Sequence, residues 1–236
     1  MIEVDPAAEE AELRAYLGER FDRRTLETHH DALEAEAEAA GDDATLYRTS
    51  EMYLYDLTVF AMSRTKEPYL RALAGLVPAP ARVLDVGCGI GSDGLLLAGA
   101  GYEVAFADFD NPSTRYLRWR LARRGLDALV HDLDAGPLPG GFDAAYAFDV
   151  LEHVEDPFAL LAAMEGAASL VCVNVLEPVP GETRLHHELP VRDLLRHAAA
   201  HDLRLHRRLH GRSHLLAYRP RRVGPLRRAV NAARSR

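Results

Sequence analysis

The segment Val83-Leu84-Asp85-Val86-Gly87-Cys88-Gly89-Ile90-Gly91-Ser92 runs from an apolar strand through a glycine-rich turn into an apolar helix. Glycine tolerates positive φ and lets the backbone approach a ligand closely, so such a turn is a candidate nucleotide cradle. Spacing separates one kind of cradle from another. A nicotinamide dinucleotide fold calls for G-x-G-x-x-G, which would need glycine at position 92, and Ser92 stands there.

Outward from this loop, short apolar runs alternate with helical stretches, the pattern of a parallel sheet covered on both faces. Strands are expected over Arg82-Asp85, Glu103-Asp108, Ala128-His131, Phe142-Phe148 and Ser169-Asn174, with two more near Leu203-Leu209 and Ser213-Tyr218. Helices are expected near Ser92-Gly99, Pro112-Arg124 and Pro157-Glu165, and from Pro190 to His201. The expected fold class is α/β, a Rossmann-like seven-stranded mostly parallel sheet with helices on both faces and an N-terminal helical lid.

Upstream, Asp5-Pro6 reads as an N-cap and first helical position, and Leu13, Leu17 and Phe21 recur every four residues, which predicts one amphipathic helix. Gly41-Asp42-Asp43 breaks the pattern, and Tyr47 to Leu76 reads as one or two helices. Met52, Tyr53, Leu54, Tyr55, Leu57, Val59, Phe60 and Met62 are too apolar for a single buried face, so this stretch must be covered on more than one side. The expected division is a helical cap over 1–77, a catalytic α/β domain over 78–220 and a basic tail over 221–236.

The chain has 236 residues, 48% of them hydrophobic, and its two cysteines, Cys88 and Cys172, suggest neither a disulfide framework nor a CxxC zinc site. No basic-plus-apolar leader is visible, and no apolar run approaches the roughly 20 residues that span a bilayer. A cytoplasmic protein with no membrane partner is the expectation. The net charge of -8 hides an acidic stretch up to Asp43 and eleven arginines, with no Asp or Glu, after Asp202. With Lys66 as the sole lysine and Ala and Arg abundant, that bias reads as coding composition and argues against a nucleic-acid partner.

The spacing Asp85, Gly87, Gly89, Gly91 resembles the D-x-G-x-G-x-G loop of class I S-adenosylmethionine (SAM)-dependent methyltransferases. The resemblance covers Arg82 to Tyr218, with four further features in order. It implies SAM as cofactor, the backbone of Gly87, Cys88, Gly89 and Gly91 against its methionine and ribose portions, and Asp85 ordering the loop near the amino group. A carboxylate ending the second strand, Asp108, can accept from both ribose hydroxyls. The resemblance places Phe109 against adenine, Asp132 on the adenine amino group and the Leu133 amide on a ring nitrogen, with Asp134 as a competitor to Asp132. The stretch Gly141 to Val154 is similar to the family's fourth strand and following loop. There Asp149 is a wall residue, Leu151 packs on the cofactor, and His153 is either a general base or a helix-start residue.

Asn174 and Glu177, at the exit of the fifth strand, are substrate-site candidates or partners of turn backbone. His186-His187-Glu188 invites a metal reading, but adjacent residues seldom converge on one ion, so no metal is expected and a place on the acceptor rim is preferred. His210, Arg212 and His214 would join that rim if the last strands return beside it. The lid tyrosines Tyr47, Tyr53 and Tyr55, with Arg64, are able to enclose a small polar acceptor, and His153, His186 and His187 are the candidate bases.

The expected activity is N- or O-methylation of a small molecule in a biosynthetic setting, with a homodimer allowed. Three alternatives stay open: a SAM-consuming cyclase that forms a small cyclic amino acid and releases methylthioadenosine, a non-catalytic SAM-binding module, and a nucleic-acid methyltransferase using the arginine-rich end.

Overall fold

The computed structural model describes residues 2–40, 43–179 and 186–234. Helix α1 (Pro6–Leu17) starts where Asp5 accepts hydrogen bonds from the Ala7 and Ala8 amides, with Pro6 supplying the preset φ of a first helical residue. It ends at Gly18, whose φ of +59° no β-carbon-bearing residue adopts cheaply. The single amphipathic helix read from Asp5 is therefore two, α1 and α2 (Arg23–Ala40), separated by a 3₁₀ turn over Gly18–Arg20. Gly41 and Asp42, read as the break, lie outside the described residues.

Three helices follow instead of one or two: α3 (Asp43–Thr49), α4 (Met52–Met62) and α5 (Glu67–Leu76). The apolar excess of α4 is explained by its neighbours. Leu54 and Tyr55 pack with Leu13, Leu17 and Leu26 from the first two helices, and with Ile90 and Tyr116 of the α/β layer, while Met52 and Tyr53 also touch Leu33 and Leu46.

The α/β layer runs β1 (Arg82–Val86), α6 (Ser92–Gly99), β2 (Glu103–Asp108), α7 (Pro112–Arg124), β3 (Val130–Asp132), β4 (Ala144–Ala147), α8 (Pro157–Ala167), β5 (Val171–Leu176), α9 (Val191–Ala199), β6 (His201–Leu209) and β7 (Ser213–Arg222). The seven strands lie in the order β3-β2-β1-β4-β5-β7-β6. The first five are parallel, β7 is antiparallel to β5, and β6 is antiparallel to β7. One apolar layer covers each face of the sheet.

Several boundaries move from their expected places. β3 starts at Val130 and β4 shrinks to four residues, because inter-strand pairing, which local sequence does not report, decides where a ladder begins. α9 stops at Ala199 and His201 opens β6. β7 continues to Arg222, and the tail forms α10 (Pro225–Arg234), tied back by Asn231 Nδ2 to the carbonyls of Ala199 and His201. Among the described residues, no helix is long and apolar enough to cross a membrane.

Two features place the site. Strand order reverses between β1 and β4, which opens a crevice beyond their carboxyl ends. The N-terminal helices are bolted to that edge by Arg120 of α7, which is fully buried and donates to Glu9 and Glu12 of α1, to Ser92 Oγ and to the Ile90 carbonyl of the glycine loop.

Candidate functional site

The glycine loop fills the floor of the crevice. Gly91 sits at φ +74° as the N-cap of α6, and a β-carbon there would lie 2.3 Å from Leu117 Cδ1, so both conformation and space demand glycine. A β-carbon on Gly87 would lie 2.7 Å from Val150 Cγ1. The backbone thus sets the loop's surface, and Cys88 lies half-buried within it, burial pushing its thiol well above the usual range.

Asp108 ends β2 and takes the Gly89 amide on Oδ2 and the Phe109 amide on Oδ1, each at 2.7 Å. Burial raises its pKa and the two amides oppose that rise. Phe109 carries the Arg48 guanidinium over its ring at 4.1 Å. Arg48 also forms an ion pair with Asp134, which holds Asp134 below the usual carboxylate range. Asp132, opposite Asp108 in the β2–β3 register, accepts the Asp134 amide at 3.0 Å. Asp134, the rival of Asp132, is thereby occupied, and Leu133 lies partly buried against the core.

At the end of β4, Asp149 adopts φ +56°, uncommon without glycine, and a reciprocal clamp holds it there. Its amide donates to Asn174 Oδ1 at 2.7 Å, and Asn174 Nδ2 donates to Asp149 Oδ1 at 2.8 Å. Asn174 Nδ2 also reaches Ser213 Oγ at 3.3 Å, which Tyr69 Oη meets from the other side at 2.8 Å. Asp149 Oδ2 is buried and has no hydrogen-bond partner among the described residues.

Lys66 supplies the nearby cation, its Nζ 2.8 Å from Asp93 Oδ2. Burial works against the ammonium, but the surrounding carboxylates, Asp93 first and Asp149 next, hold the group protonated above its ordinary range. Burial in turn pushes Asp149 and Asp85 upward, with Lys66 opposing the rise in both. The result is a buried cluster of carboxylates around one ammonium, with Asp149 Oδ2 left without a hydrogen-bond partner among the described residues.

A 3₁₀ turn over Leu151–His153 carries the loop after β4. His153 Nδ1 lies 2.8 Å from Tyr47 Oη of α3, and its ring packs edge-on against His186 at 4.8 Å. Tyr53 packs against Tyr47 at 5.2 Å, and burial pushes its hydroxyl far above the usual range. One donor atom from each of Glu152, His153 and His186 lies within 4.8 Å of the others, a spacing a metal ion could use.

The structure brings together Asp85, the glycines, Asp108, Phe109, Asp149, Tyr47, Tyr53, His153 and His186, and it reassigns other expected site residues. Leu151 is fully buried with Leu161 and Met164 in the core. Tyr55 is buried among Leu13, Leu17 and Leu26, and its hydroxyl serves the Asp22 amide and the Arg20 carbonyl. Arg64 pairs with the exposed Glu3 and the buried Glu67. Asn174 is buried and bonds to Asp149 and Ser213.

Glu177 bonds to His214 and Arg208, and those partners pull it below the usual carboxylate range. His214 reaches on to His206, Arg212 donates to the Glu177 carbonyl, and His210 meets the Thr65 carbonyl. These residues form a polar network along β6 and β7. His187 donates its amide to the Glu152 carbonyl while its side chain stays exposed. Lys66, Asp93 and Arg48 escape sequence reasoning. The one usable signal is that Lys66 is the only lysine in an arginine-rich chain.

Residues 60–201 match the family described as a methyltransferase domain. A ubiquinone biosynthesis O-methyltransferase of Xanthomonas axonopodis pv. citri is 36% identical over 110 residues, 44% of this chain and 42% of that protein. A tRNA (guanine(26)-N(2))-dimethyltransferase of Halobacterium salinarum is 34% identical over 149 residues, 61% of this chain and 36% of that protein. The chain thus spans less than half the length of these curated relatives. Among solved structures, the magnesium protoporphyrin IX methyltransferase of Synechocystis PCC 6803 with bound SAH superposes with a TM-score of 0.56 at 16% identity, covering 71% of this chain and 87% of that one. The PH0226 protein of Pyrococcus horikoshii OT3 gives 0.55 at 18% identity, covering 73% and 92%. These likenesses establish a shared fold.

Proposed function

Because the chain belongs to the methyltransferase-domain family, we propose that it transfers the methyl group of SAM to an oxygen or nitrogen of a small-molecule acceptor. The groups around the glycine loop suit that cofactor. Asp108, with an oxygen on each of two loop amides, would take the ribose, Phe109, Asp132 and Leu133 the adenine, and Asp85, Gly87, Cys88, Gly89 and Gly91 the methionine side. The orphaned Asp149 Oδ2 suits a cationic ligand, and Lys66 suits its carboxylate. When bound, SAM supplies an activated methyl carbon and leaves as S-adenosylhomocysteine.

The observation that carries the reaction class is the Tyr47–His153 hydrogen bond beside Asp149. Tyr47 Oη can accept from or donate to His153 Nδ1; in the tautomer that donates Nδ1–H, Nε2 carries the lone pair that would take a proton from an acceptor hydroxyl or ammonium. His186 packs against that ring and would share the acceptor rim. The helices before β1 would act as its roof: α1 is pinned by Arg120, whereas α3 brings Tyr47 and Arg48 to the mouth. Alignment and exclusion of water are the protein's main contributions to methyl transfer.

His153→Ala tests the assignment. A general base contributes about 10²–10⁴-fold, so kcat should fall by that factor with SAM affinity kept. Unchanged kcat would remove His153 from the reaction. An acceptor panel of small phenols, amines and carboxylates, with tRNA included because one relative is named for tRNA methylation, separates acceptor classes.

A further inference from the structure

We propose a zinc site on the side of the sheet remote from the donor pocket, formed by Glu165 of α8, His197 of α9 and His201 at the start of β6. One donor atom from each of the three lies within 4.8 Å of the other two. His197 Nε2 is 2.6 Å from Glu165 Oε1, and the His197 and His201 rings are 4.8 Å apart.

The surrounding groups hold these side chains as the partners of metal ligands do. His201 Nδ1 is 2.9 Å from the His197 carbonyl, an acceptor only, so that nitrogen carries the proton and the lone pair is on Nε2. Tyr218 Oη donates to Glu165 Oε1 at 2.8 Å and its ring stacks on His201 at 5.2 Å, which fixes the orientation of both. Outer hydrogen bonds that set tautomer and ring orientation are the usual support of zinc ligands.

Two imidazoles and a carboxylate form a borderline donor set suited to Zn²⁺, which takes three protein ligands and a water in tetrahedral sites of this kind. His201 is 5% exposed, whereas the Glu165 and His197 side chains are 19% and 23% exposed, so an ion has an entry path and a water a fourth position. A two-residue His–Glu ion pair would not need the third, buried histidine.

The site lies at the opposite end of β5 from the chemistry. Tyr218 pairs with Val171, the first residue of β5, while the crevice borders the strand's other end at Leu176, about 16 Å away at roughly 3.3 Å per residue. Zinc there would tie α8, α9 and the β6–β7 hairpin together. This role is independent of the methyl-transfer reading, and its test needs no turnover.

The full chain, free of any affinity tag and stripped with EDTA, is titrated with ZnCl2 by calorimetry and with CoCl2 by visible absorption. The His197→Ala/His201→Ala variant should bind one Zn²⁺ equivalent fewer than the unaltered chain, and His153→Ala should keep that equivalent. At 100-fold excess over Kd, Zn²⁺ should raise the melting temperature of the unaltered chain by roughly 5–10 °C and leave the double variant unmoved. Glu165→Gln, which keeps an acceptor for Tyr218, provides a milder variant should the double one not fold, and its Zn²⁺ affinity should fall at least about 10-fold. Equal stoichiometry in the double variant and the unaltered chain, or no Zn²⁺ binding by the unaltered chain, overturns the proposal.

Discussion

Arg120→Met should loosen the N-terminal helices more than any surface substitution. The arginine is fully buried and its guanidinium meets Glu12 Oε2 at 2.9 Å, Glu9 Oε1 at 2.7 Å, Ser92 Oγ at 2.8 Å and the Ile90 carbonyl at 3.0 Å. Burial disfavours the cation, but Glu9, Tyr116 and Glu12 together outweigh it, so the group stays charged. Removing one partner of a buried pair costs about 3–5 kcal/mol because the other charge is stranded. Glu12 retains Arg124 at 3.0 Å, but Glu9, 8% exposed, keeps among the described residues only the Ser92 hydroxyl. The loss should therefore fall in the lower half of that range, about 3–4 kcal/mol. Urea denaturation of Arg120→Met, Glu9→Gln and the double variant measures it, and adding Glu9→Gln to the Arg120→Met chain should recover a large part of the loss, since no charge is then stranded. An Arg120→Met cost under about 1 kcal/mol, or strict additivity with Glu9→Gln, would refute the strut.

Three further outcomes follow from the donor pocket. Asp108→Ala should weaken SAM binding by about 1–3 kcal/mol as the ribose and two loop amides lose their acceptor, read by calorimetry against an unchanged affinity if the role is wrong. Gly91→Ala forces φ +74° on alanine and a 2.3 Å approach to Leu117, so it should lower the urea midpoint, and Leu117→Ala should recover part of the loss if the clash is real. Burial, with Asp93 adding and Lys66 opposing, pushes Asp85 up to about 8. The folded chain then keeps a proton that the unfolded chain releases, so this group's contribution is present below the ordinary carboxylate range and lost as pH rises toward that value. Relative to Asp85→Asn, the unaltered chain should lose stability between about pH 5 and pH 8, and a constant difference between the two would contradict the shift.

What was legible in the sequence was what local chemistry decides. The β1–loop–α6 unit follows from glycines at fixed offsets, and α7 spans its expected residues because Asn111 caps one end and Gly125 closes the other. The break at Gly18 was hidden because Leu13, Leu17 and Phe21 carry a four-residue period across it. The edges of β3 and β4 depend on partners distant in sequence. Tyr47 and Tyr55 look alike in the sequence, yet one meets His153 and the other the Asp22 amide, a difference set by how α3 and α4 dock. Lys66 became a site residue only once Asp93 and Asp149 converged on it from separate elements.

The glycine loop and Asp108 form the proposed donor pocket, and in the proposed reaction the donor gives up its methyl group. Mass spectrometry of products after incubation with methyl-labelled SAM, first alone and then with small-molecule extracts, decides between transfer and rearrangement. Methyl transfer yields S-adenosylhomocysteine and a labelled acceptor that form only when an extract is present, and that is the expected result. Methylthioadenosine released from SAM alone would contradict it and make the chain a SAM-cyclising enzyme of the same fold.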